Sequence, residues 1–236
     1  MGRIWAVCSG SGGVGKSTIA LSLAVGAARA GKQAVLLDAS GTSRACDLML
    51  GMESIVVLDM VDVIGQQAEL SGALYRVPGI DGLRFACASL YDDVPVCELT
   101  TAMLALHSLC DVLVIDLPTG QIDLGDGLLR REDERIVVTR PDDISMRAAE
   151  RIMMRAARSE AAMCLAVNRI SRSAVRRGTQ YDARQVEMVL DCPVLAAIPE
   201  DEGVLSAARK MRGVIPGDGP ARTALSAMAE KLLERV

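Results

Sequence analysis

The chain has 236 residues, half of them apolar and 2% aromatic, so it can bury a sizeable core of aliphatic side chains. Its formal net charge of −4 gives no bulk electrostatic support for binding nucleic acid or membranes. Seven dispersed cysteines without a C-x-x-C pair, together with one histidine, argue against a disulfide framework and a zinc site and fit a reducing compartment.

Short apolar runs alternate with amphipathic stretches, the pattern of parallel strands joined by crossover helices. Strands are predicted over 4–8, 34–37, 74–77, 83–87, 111–116, 136–139, 161–167 and 194–198. Helices are predicted over 17–30, within 53–67, and over 97–110, 142–158, 182–190, 201–211 and 221–235, with a short helical piece ending at Gly51. The sequence therefore predicts an α/β fold, a mostly parallel sheet with helices on both faces, in one domain over 1–236. With no signal region and no long apolar run, a soluble, cytoplasmic protein is expected.

The segment between the first strand and the first helix matches the phosphate-binding template of a glycine, four residues, then Gly-Lys-Ser/Thr. Its residues, all expected to contact phosphate, are Gly10, Ser11, Gly12, Gly13, Val14, Gly15, Lys16, Ser17 and Thr18. Glycines let the backbone curl around a phosphate, and the following helix adds the positive end of its dipole. In this template Lys16 reaches the β- and γ-phosphates and the Ser17 hydroxyl ligates Mg²⁺.

Polar residues also end three other predicted strands, at the edge where parallel sheets bind ligands. Asp116 can hold Mg²⁺ directly or through water; the alternative is a cap on the next turn. Asp38 is either an acid that positions water or a cap on the following loop. The Asn168 amide can pair with an adenine edge, although alone such an asparagine is weakly diagnostic.

Charged and apolar faces of the later helices suggest possible partners. The helix over 142–158 carries Arg147, Arg151, Arg155 and Arg158 on one face, which is either solvated or contacts DNA or an acidic partner. The last helix is apolar on one side, which favours packing on the sheet over lying in a membrane. The single histidine, His107, is expected to be structural.

Several motifs in chain order match one family. They are the stretch 9–18, residues 37–38 with 47–51, and the segments 114–120, 138–141, 167–169 and 198–201 with Val204. Over nearly its whole length the chain resembles the MinD/ParA family of P-loop ATPases, most of all its MinD-like members.

The resemblance implies a three-layer P-loop NTPase fold and a cytosolic switch that binds ATP or ADP with Mg²⁺. Members form nucleotide-dependent homodimers, engage a membrane, nucleoid or protein partner, and place division septa, flagella, pili or chromosomes. By resemblance, Asn168, Arg169 and Pro199 belong to the nucleotide-binding residues, with Pro199 and Asn168 lining the adenine pocket. Lys16 and Asp38 take the catalytic positions.

Three departures from the family pattern bear on hydrolysis and partners. The family usually has a lysine at Ser11, which reaches the partner's phosphates, and an aspartate at Ser40, which positions the attacking water. Because neutral hydroxyls stand at both positions, slow or impaired hydrolysis is expected. The basic amphipathic tail of membrane-binding members is not found before Val236, so membrane binding is not expected.

Four hypotheses follow. The first is an ATP-binding MinD-like spatial regulator with slow hydrolysis. The second is a working ATPase in which Arg44 supplies the missing charge. The third is a nucleotide-independent adaptor that contacts a protein or DNA through the Arg147–Arg158 helix. The fourth, an iron–sulfur carrier, is disfavoured because no paired cysteine motif exists.

Overall fold

The computed structural model of the chain describes residues 2–41, 44–89, 96–122, 133–156, 161–204 and 219–235. Its strands are β1 (Arg3–Cys8), β2 (Ala34–Asp38), β3 (Tyr75–Arg76), β4 (Leu83–Cys87), β5 (Val112–Asp116), β6 (Glu134–Thr139), β7 (Ala162–Ile170) and β8 (Val194–Pro199). They form one sheet in the order β3-β4-β2-β5-β1-β6-β7-β8. Every pair is parallel except β3 with β4. The predicted α/β fold with a mostly parallel sheet is confirmed.

Helices connect most of these strands. They are α1 (Lys16–Arg29), α2 (Ala45–Leu50), α3 (Met60–Ile64), α4 (Leu70–Ala73), α5 (Val96–His107), α6 (Asp143–Ala156), α7 (Arg172–Arg176), α8 (Ala183–Leu190) and α9 (Pro220–Leu233). The first is the crossover that follows the glycine-rich loop. Among the described residues, no helix is long and apolar enough to span a membrane.

The sequence-based boundaries are wrong in several places, each with a local cause. Within 53–67 only α3 is helical, because Asp59 starts it with a reciprocal capping box and Gly65 ends it. The helix predicted to reach 110 ends at His107, which leaves Leu109 beyond it and 46% exposed. β6 begins two residues earlier and β7 ends three residues later than predicted. The helix predicted over 201–211 lies mostly outside the described residues.

Two apolar clusters fill the two faces of the sheet. One contains Trp5, Phe85 and the inward side of α1, and the other contains Met103, Leu106 and residues of α6 and α8. The strands read as continuous apolar runs because both faces are covered, as parallel sheets require.

The last helix packs onto the sheet, as its apolar side predicts. Leu225, Met228 and Leu232 are buried in the same cluster as α1, and the Lys231 ammonium donates to the Leu195 carbonyl oxygen at 3.0 Å. Arg235, just beyond α9, pairs with the buried Glu134 carboxylate at 3.1 Å. The side of α9 that could have entered a membrane surface is therefore occupied by the core.

The strand order brings the chemistry-bearing residues to one edge. β1 lies between β5 and β6, and β2 lies on the other side of β5. Asp38 and Asp116 are register partners at the carboxyl ends of β2 and β5, beside the loop that leaves β1. Residues distant in sequence thereby meet where ligands bind in open α/β sheets.

Candidate nucleotide site

The glycine-rich loop is shaped by close packing against neighbouring elements. Gly15 has a φ of 98° and is the N-cap of α1, and a Cβ there would lie 2.2 Å from the Asn168 Nδ2 atom. At Gly10 a Cβ would lie 2.0 Å from the Ala148 carbonyl oxygen in α6. These two positions exclude any side chain, so the loop backbone can seat against β7 and α6.

The amino end of α1 is available to an anion. Gly15 provides no side-chain cap, so among the described residues no side chain caps the first-turn N–H groups. Such a helix end, preceded by a glycine-rich turn, favours phosphate through its N–H groups and its dipole.

A buried lysine–aspartate pair lies at the floor of this loop. The Lys16 Nζ donates to the Asp116 Oδ1 at 2.6 Å, and both side chains are at least nine-tenths buried. The Ser17 side chain lies next to the same carboxylate. Complete burial raises the pKa of Asp116, whereas Lys16 and Ser17 oppose that rise. The predicted phosphate-binding lysine and the two predicted Mg²⁺ ligands thus form one cluster.

The second acid, Asp38, is held by its own loop and by α2. Its Oδ1 accepts from the Ser40 backbone N–H at 2.9 Å and from the Ser40 hydroxyl at 2.6 Å. Its Oδ2 accepts from the Cys46 backbone N–H at 3.0 Å. The Cys46 thiol in turn donates to the Asp116 Oδ2 at 3.6 Å. Asp38 therefore links its loop to α2, as the capping alternative predicts, and it lies beside Asp116.

Cys46 was not singled out by its sequence context, yet it lies between the two acids. Ligand atoms of Asp38, Cys46 and Asp116 all lie within 4.8 Å of one another. Burial and the neighbouring carboxylates raise the pKa of the Cys46 thiol well above its usual value. The thiol is therefore a neutral donor that steadies Asp116.

The Asn168 amide holds the phosphate-binding loop. Its Nδ2 donates to the Val14 carbonyl oxygen at 2.7 Å, and its Oδ1 accepts from the Arg169 backbone N–H at 3.0 Å. Pro199 is paired with Ile170 at the end of β8. The predicted adenine contacts of Asn168 and Pro199 stay predictions.

A cavity of about 390 Å³ opens in front of the loop. It is lined by Ser9, Ser11, Gly12, Gly13, Gly15, Lys16, Ser17, Thr18, Ser40, Ala45, Met49, Thr119 and Arg169. Most of the predicted loop residues are present, whereas Gly10, Val14, Asn168 and Pro199 are not in this set. Ala45 and Met49 line the cavity because α2 lies beside the loop. Neither residue type indicates a ligand site in the sequence.

Several hydroxyl groups and two cations lie on the cavity wall. Ser9 was missed by the sequence analysis, but its side chain is buried and its Oγ lacks a hydrogen-bond partner among the described residues. An unpaired buried hydroxyl on a cavity wall is typical of a ligand-contacting group. Together with Lys16, Arg169 and the free helix end, it fits a polyphosphate, and Ser17 with Asp116 fits a hard divalent cation.

The predicted role of Arg44 finds no support in its contacts. Its Nε donates to the Asp47 Oδ2 at 2.8 Å, a second guanidinium nitrogen pairs with the same oxygen, and Arg44 is not among the cavity-lining residues. Its use as a replacement charge stays a prediction.

Comparison with known proteins identifies relatives over the whole chain. A family model described as the CobQ/CobB/MinD/ParA nucleotide binding domain matches residues 5–214. The septum site-determining protein MinD of Helicobacter pylori is 30% identical over 244 residues, covering 99% of this chain and 91% of that protein.

Solved structures show the same fold at lower identity. A MinC:MinD cell division protein complex of Aquifex aeolicus superposes with a TM-score of 0.82 at 24% identity, covering 98% of this chain and 96% of the matched one. A Pyrococcus horikoshii MinD complexed with Mg-ADP gives a TM-score of 0.80 at 23% identity, with coverages of 98% and 96%.

Proposed function

Because this chain belongs to the MinD/ParA family of nucleotide-binding ATPases and is MinD-like, we propose that it binds ATP and ADP with Mg²⁺ in the cavity described above. We further propose that it acts as a nucleotide-dependent spatial regulator, of the cell division site or of a related positioning system, and that it hydrolyses ATP slowly. The observation that carries this proposal is the convergence of Lys16, Ser17 and Asp116 beneath an uncapped helix end.

Nucleotide binding exchanges the partner of Lys16. The ammonium leaves the Asp116 carboxylate for phosphate oxygens, and Asp116 together with Ser17 is then available to hold Mg²⁺. Since a buried charge must remain paired, the exchange keeps both groups compensated. Bound Mg²⁺ supplies charge neutralisation on the phosphate oxygens. The glycine-rich backbone and the Ser9 hydroxyl complete the phosphate contacts.

Slow hydrolysis is proposed from two neutral side chains at the cavity. Ser11 brings no positive charge, and Ser40 has no carboxylate with which to accept a proton from water. The Ser40 hydroxyl instead donates to Asp38 at 2.6 Å, and its neutral oxygen accepts a proton from water less readily than a carboxylate would. This chain thus has the residues proposed to bind phosphate, but it has neutral side chains at the two positions proposed to promote hydrolysis.

Partners are proposed at the level of their class. The Aquifex aeolicus MinD is part of a complex with MinC, and by analogy we propose that this chain engages a protein partner and forms a homodimer when ATP is bound.

A second candidate function, a nucleotide-independent adaptor, is favoured by one surface. On α6 the side chains of Arg147, Arg151 and Arg155 are exposed, and the apolar Ile144 and Met154 beside them are 82% and 73% exposed. A face that mixes basic and apolar groups suits an acidic protein partner. In this alternative, Lys16→Ala leaves partner binding unchanged. Arg158 lies outside the described residues.

Titration calorimetry with ATP and ADP in the presence of Mg²⁺, together with a phosphate-release assay on the same sample, tests the proposal. We expect ATP binding that Lys16→Ala weakens by about 10- to 100-fold, because a charge-assisted contact is lost. Turnover should stay below roughly 1 s⁻¹, the low end for enzymes.

Restoring the missing groups provides the matched control. The double variant Ser11→Lys with Ser40→Asp should release phosphate faster than the unmodified chain while binding ATP about as well. Absence of ATP binding would contradict the proposed site, and rapid turnover by the unmodified chain would contradict slow hydrolysis alone.

A further inference from the structure

We infer that Asp38, Cys46 and Asp116 form a binding site for a thiophilic divalent cation of the Zn²⁺ class, which the chain binds in the absence of nucleotide. Their ligand atoms all lie within 4.8 Å of one another, and all three residues are buried. The site differs from the proposed Mg²⁺ site because one of its ligands is sulfur, whereas Mg²⁺ takes oxygen ligands. Because both sites use Asp116, a cation bound here competes with the Mg²⁺ of the nucleotide.

The three ligands come from three separate elements, so no local motif reveals them. Asp38 ends β2, Asp116 ends β5, and Cys46 lies in α2. The two acids are register partners on neighbouring strands. The Cys46 backbone N–H donates to the Asp38 Oδ2 at 3.0 Å, which holds α2 beside β2. The lack of a paired cysteine motif argues against a zinc site within one segment, but it does not exclude a site that the fold assembles.

The thiol and one carboxylate already have the separation that a shared metal ion requires. The Cys46 Sγ lies 3.6 Å from the Asp116 Oδ2. In tetrahedral zinc sites, metal–sulfur bonds of about 2.3 Å and metal–oxygen bonds of about 2.1 Å place neighbouring ligand atoms about 3.5 Å apart. Lys16 donates to the other oxygen of Asp116, Oδ1. The Oδ2 side of this carboxylate is therefore the side that a cation shares with Cys46.

The charge balance of the cluster also favours a cation. Asp38 and Asp116 are both buried, and the Lys16 ammonium is bonded to Asp116. Among the described residues, the donors to Asp38 are the Ser40 N–H and hydroxyl and the Cys46 N–H, which are all neutral. A coordinating thiol gives up its proton to solvent when the metal binds. A divalent cation would then neutralise the combined charge of two carboxylates, one thiolate and one ammonium.

The cluster borders the cavity, which gives a cation a route of entry. Ser40, whose hydroxyl is bonded to Asp38, lines the cavity, and so does Ala45, which precedes Cys46 in α2. On the same wall the Ser9 Oγ is fully buried and has no hydrogen-bond partner among the described residues. Such a hydroxyl indicates a bound polar ligand or its water. A water from the cavity can complete the four-ligand shell that zinc prefers.

Cobalt absorption of the reduced, nucleotide-free chain tests the inference. Co²⁺ replaces Zn²⁺ in such sites, and a thiolate ligand gives it a sulfur-to-cobalt charge-transfer band. Wild type should bind one equivalent of Co²⁺ with this band, and Zn²⁺ but not Mg²⁺ should abolish it. Cys46→Ser should lose the band and bind Zn²⁺ about tenfold more weakly or worse. Asp38→Asn, which keeps the thiol, should also bind Zn²⁺ more weakly.

Cys164 provides the matched control. Its buried Sγ lies 3.8 Å from the Glu134 Oε2, so it is a thiol beside one carboxylate on the same sheet. Cys164→Ser should keep the charge-transfer band and the Zn²⁺ affinity of wild type. Thermal melting without metal establishes that each variant is folded.

Three results would overturn the inference. They are a wild-type chain without the band, a folded Cys46→Ser variant that keeps it, and a Cys164→Ser variant that loses it. Failure of Asp38→Asn to weaken Zn²⁺ binding would remove the second acid from the site and contradict the inference as well. Because no nucleotide is present, these results are independent of the proposed function, which the calorimetry with ATP tests.

Discussion

At the scale of single residues, the site contains a buried charge pair that we propose changes partners when nucleotide binds. Lys16 and Asp116 compensate each other inside the protein, and the Cys46 thiol adds a hydrogen bond to the same carboxylate. Removing one member of such a pair leaves an uncompensated buried charge, which is far more destabilising than an exposed one. The groups proposed to bind ligand therefore also support the fold.

Asp116 predicts a pH dependence of stability. Burial raises the pKa of Asp116 in the folded chain above the usual 3.8, so protonation of this carboxyl favours the folded state. The resulting stabilisation is complete below pH 3.8 and is lost as pH rises through the pKa of the folded state. We expect the free energy of unfolding of the Asp116→Asn variant to rise relative to that of wild type between pH 4 and pH 7. Urea denaturation across this range measures the difference. A difference that is constant with pH, or that moves against the variant, would contradict the raised pKa.

At the scale of elements, the phosphate-binding loop is supported by α6 and β7 rather than by its own residues. Gly10 lies against the Ala148 carbonyl oxygen, and the Asn168 amide donates to Val14. These contacts join the loop to elements more than a hundred residues later in the chain. The loop conformation consequently depends on how tightly those elements pack.

Two glycines of the same loop provide a matched test. At Gly10 a Cβ would meet the Ala148 oxygen at 2.0 Å, whereas at Gly12 nothing lies within 4 Å of the added atom. Gly10→Ala should therefore lower the free energy of unfolding by about 1–3 kcal/mol through overpacking. Gly12→Ala should leave the unfolding free energy of the ligand-free chain nearly unchanged. Chemical denaturation of both variants measures these changes. Equal changes in the free energy of unfolding would contradict the close packing of Gly10 against α6.

At the scale of the whole molecule, the function depends on whether nucleotide changes the state of assembly. Size-exclusion chromatography with ATP, with ADP and without nucleotide should give a dimer only with ATP, and Lys16→Ala should remain monomeric under all three conditions. A dimer that forms equally without nucleotide would contradict the switch. The same experiment separates the switch from the adaptor, whose assembly with a partner is independent of Lys16.

The alternation of apolar runs and amphipathic stretches predicts the sheet and the longer helices, because backbone hydrogen bonding and burial on both faces require that pattern, but it did not predict the short helices α4 and α7. It could not place boundaries such as the end of α5, since caps and tertiary contacts decide where a helix stops. The single-domain organisation and the roles of the site residues stay predictions.

By itself the sequence predicted a loop at Gly10 to Thr18 that leads into a helix, and the spacing favours phosphate binding because it has few other physical uses. It also located Asp116 and Asp38 at strand ends. Only the tertiary structure decided that Asp116 meets Lys16, that Cys46 and Ser9 join the site, that Asn168 supports the loop, and that Arg169 rather than Arg44 faces the cavity. The reason is that strand order and a register shift between β7 and β8 set these distances, and neither is encoded within any one local segment.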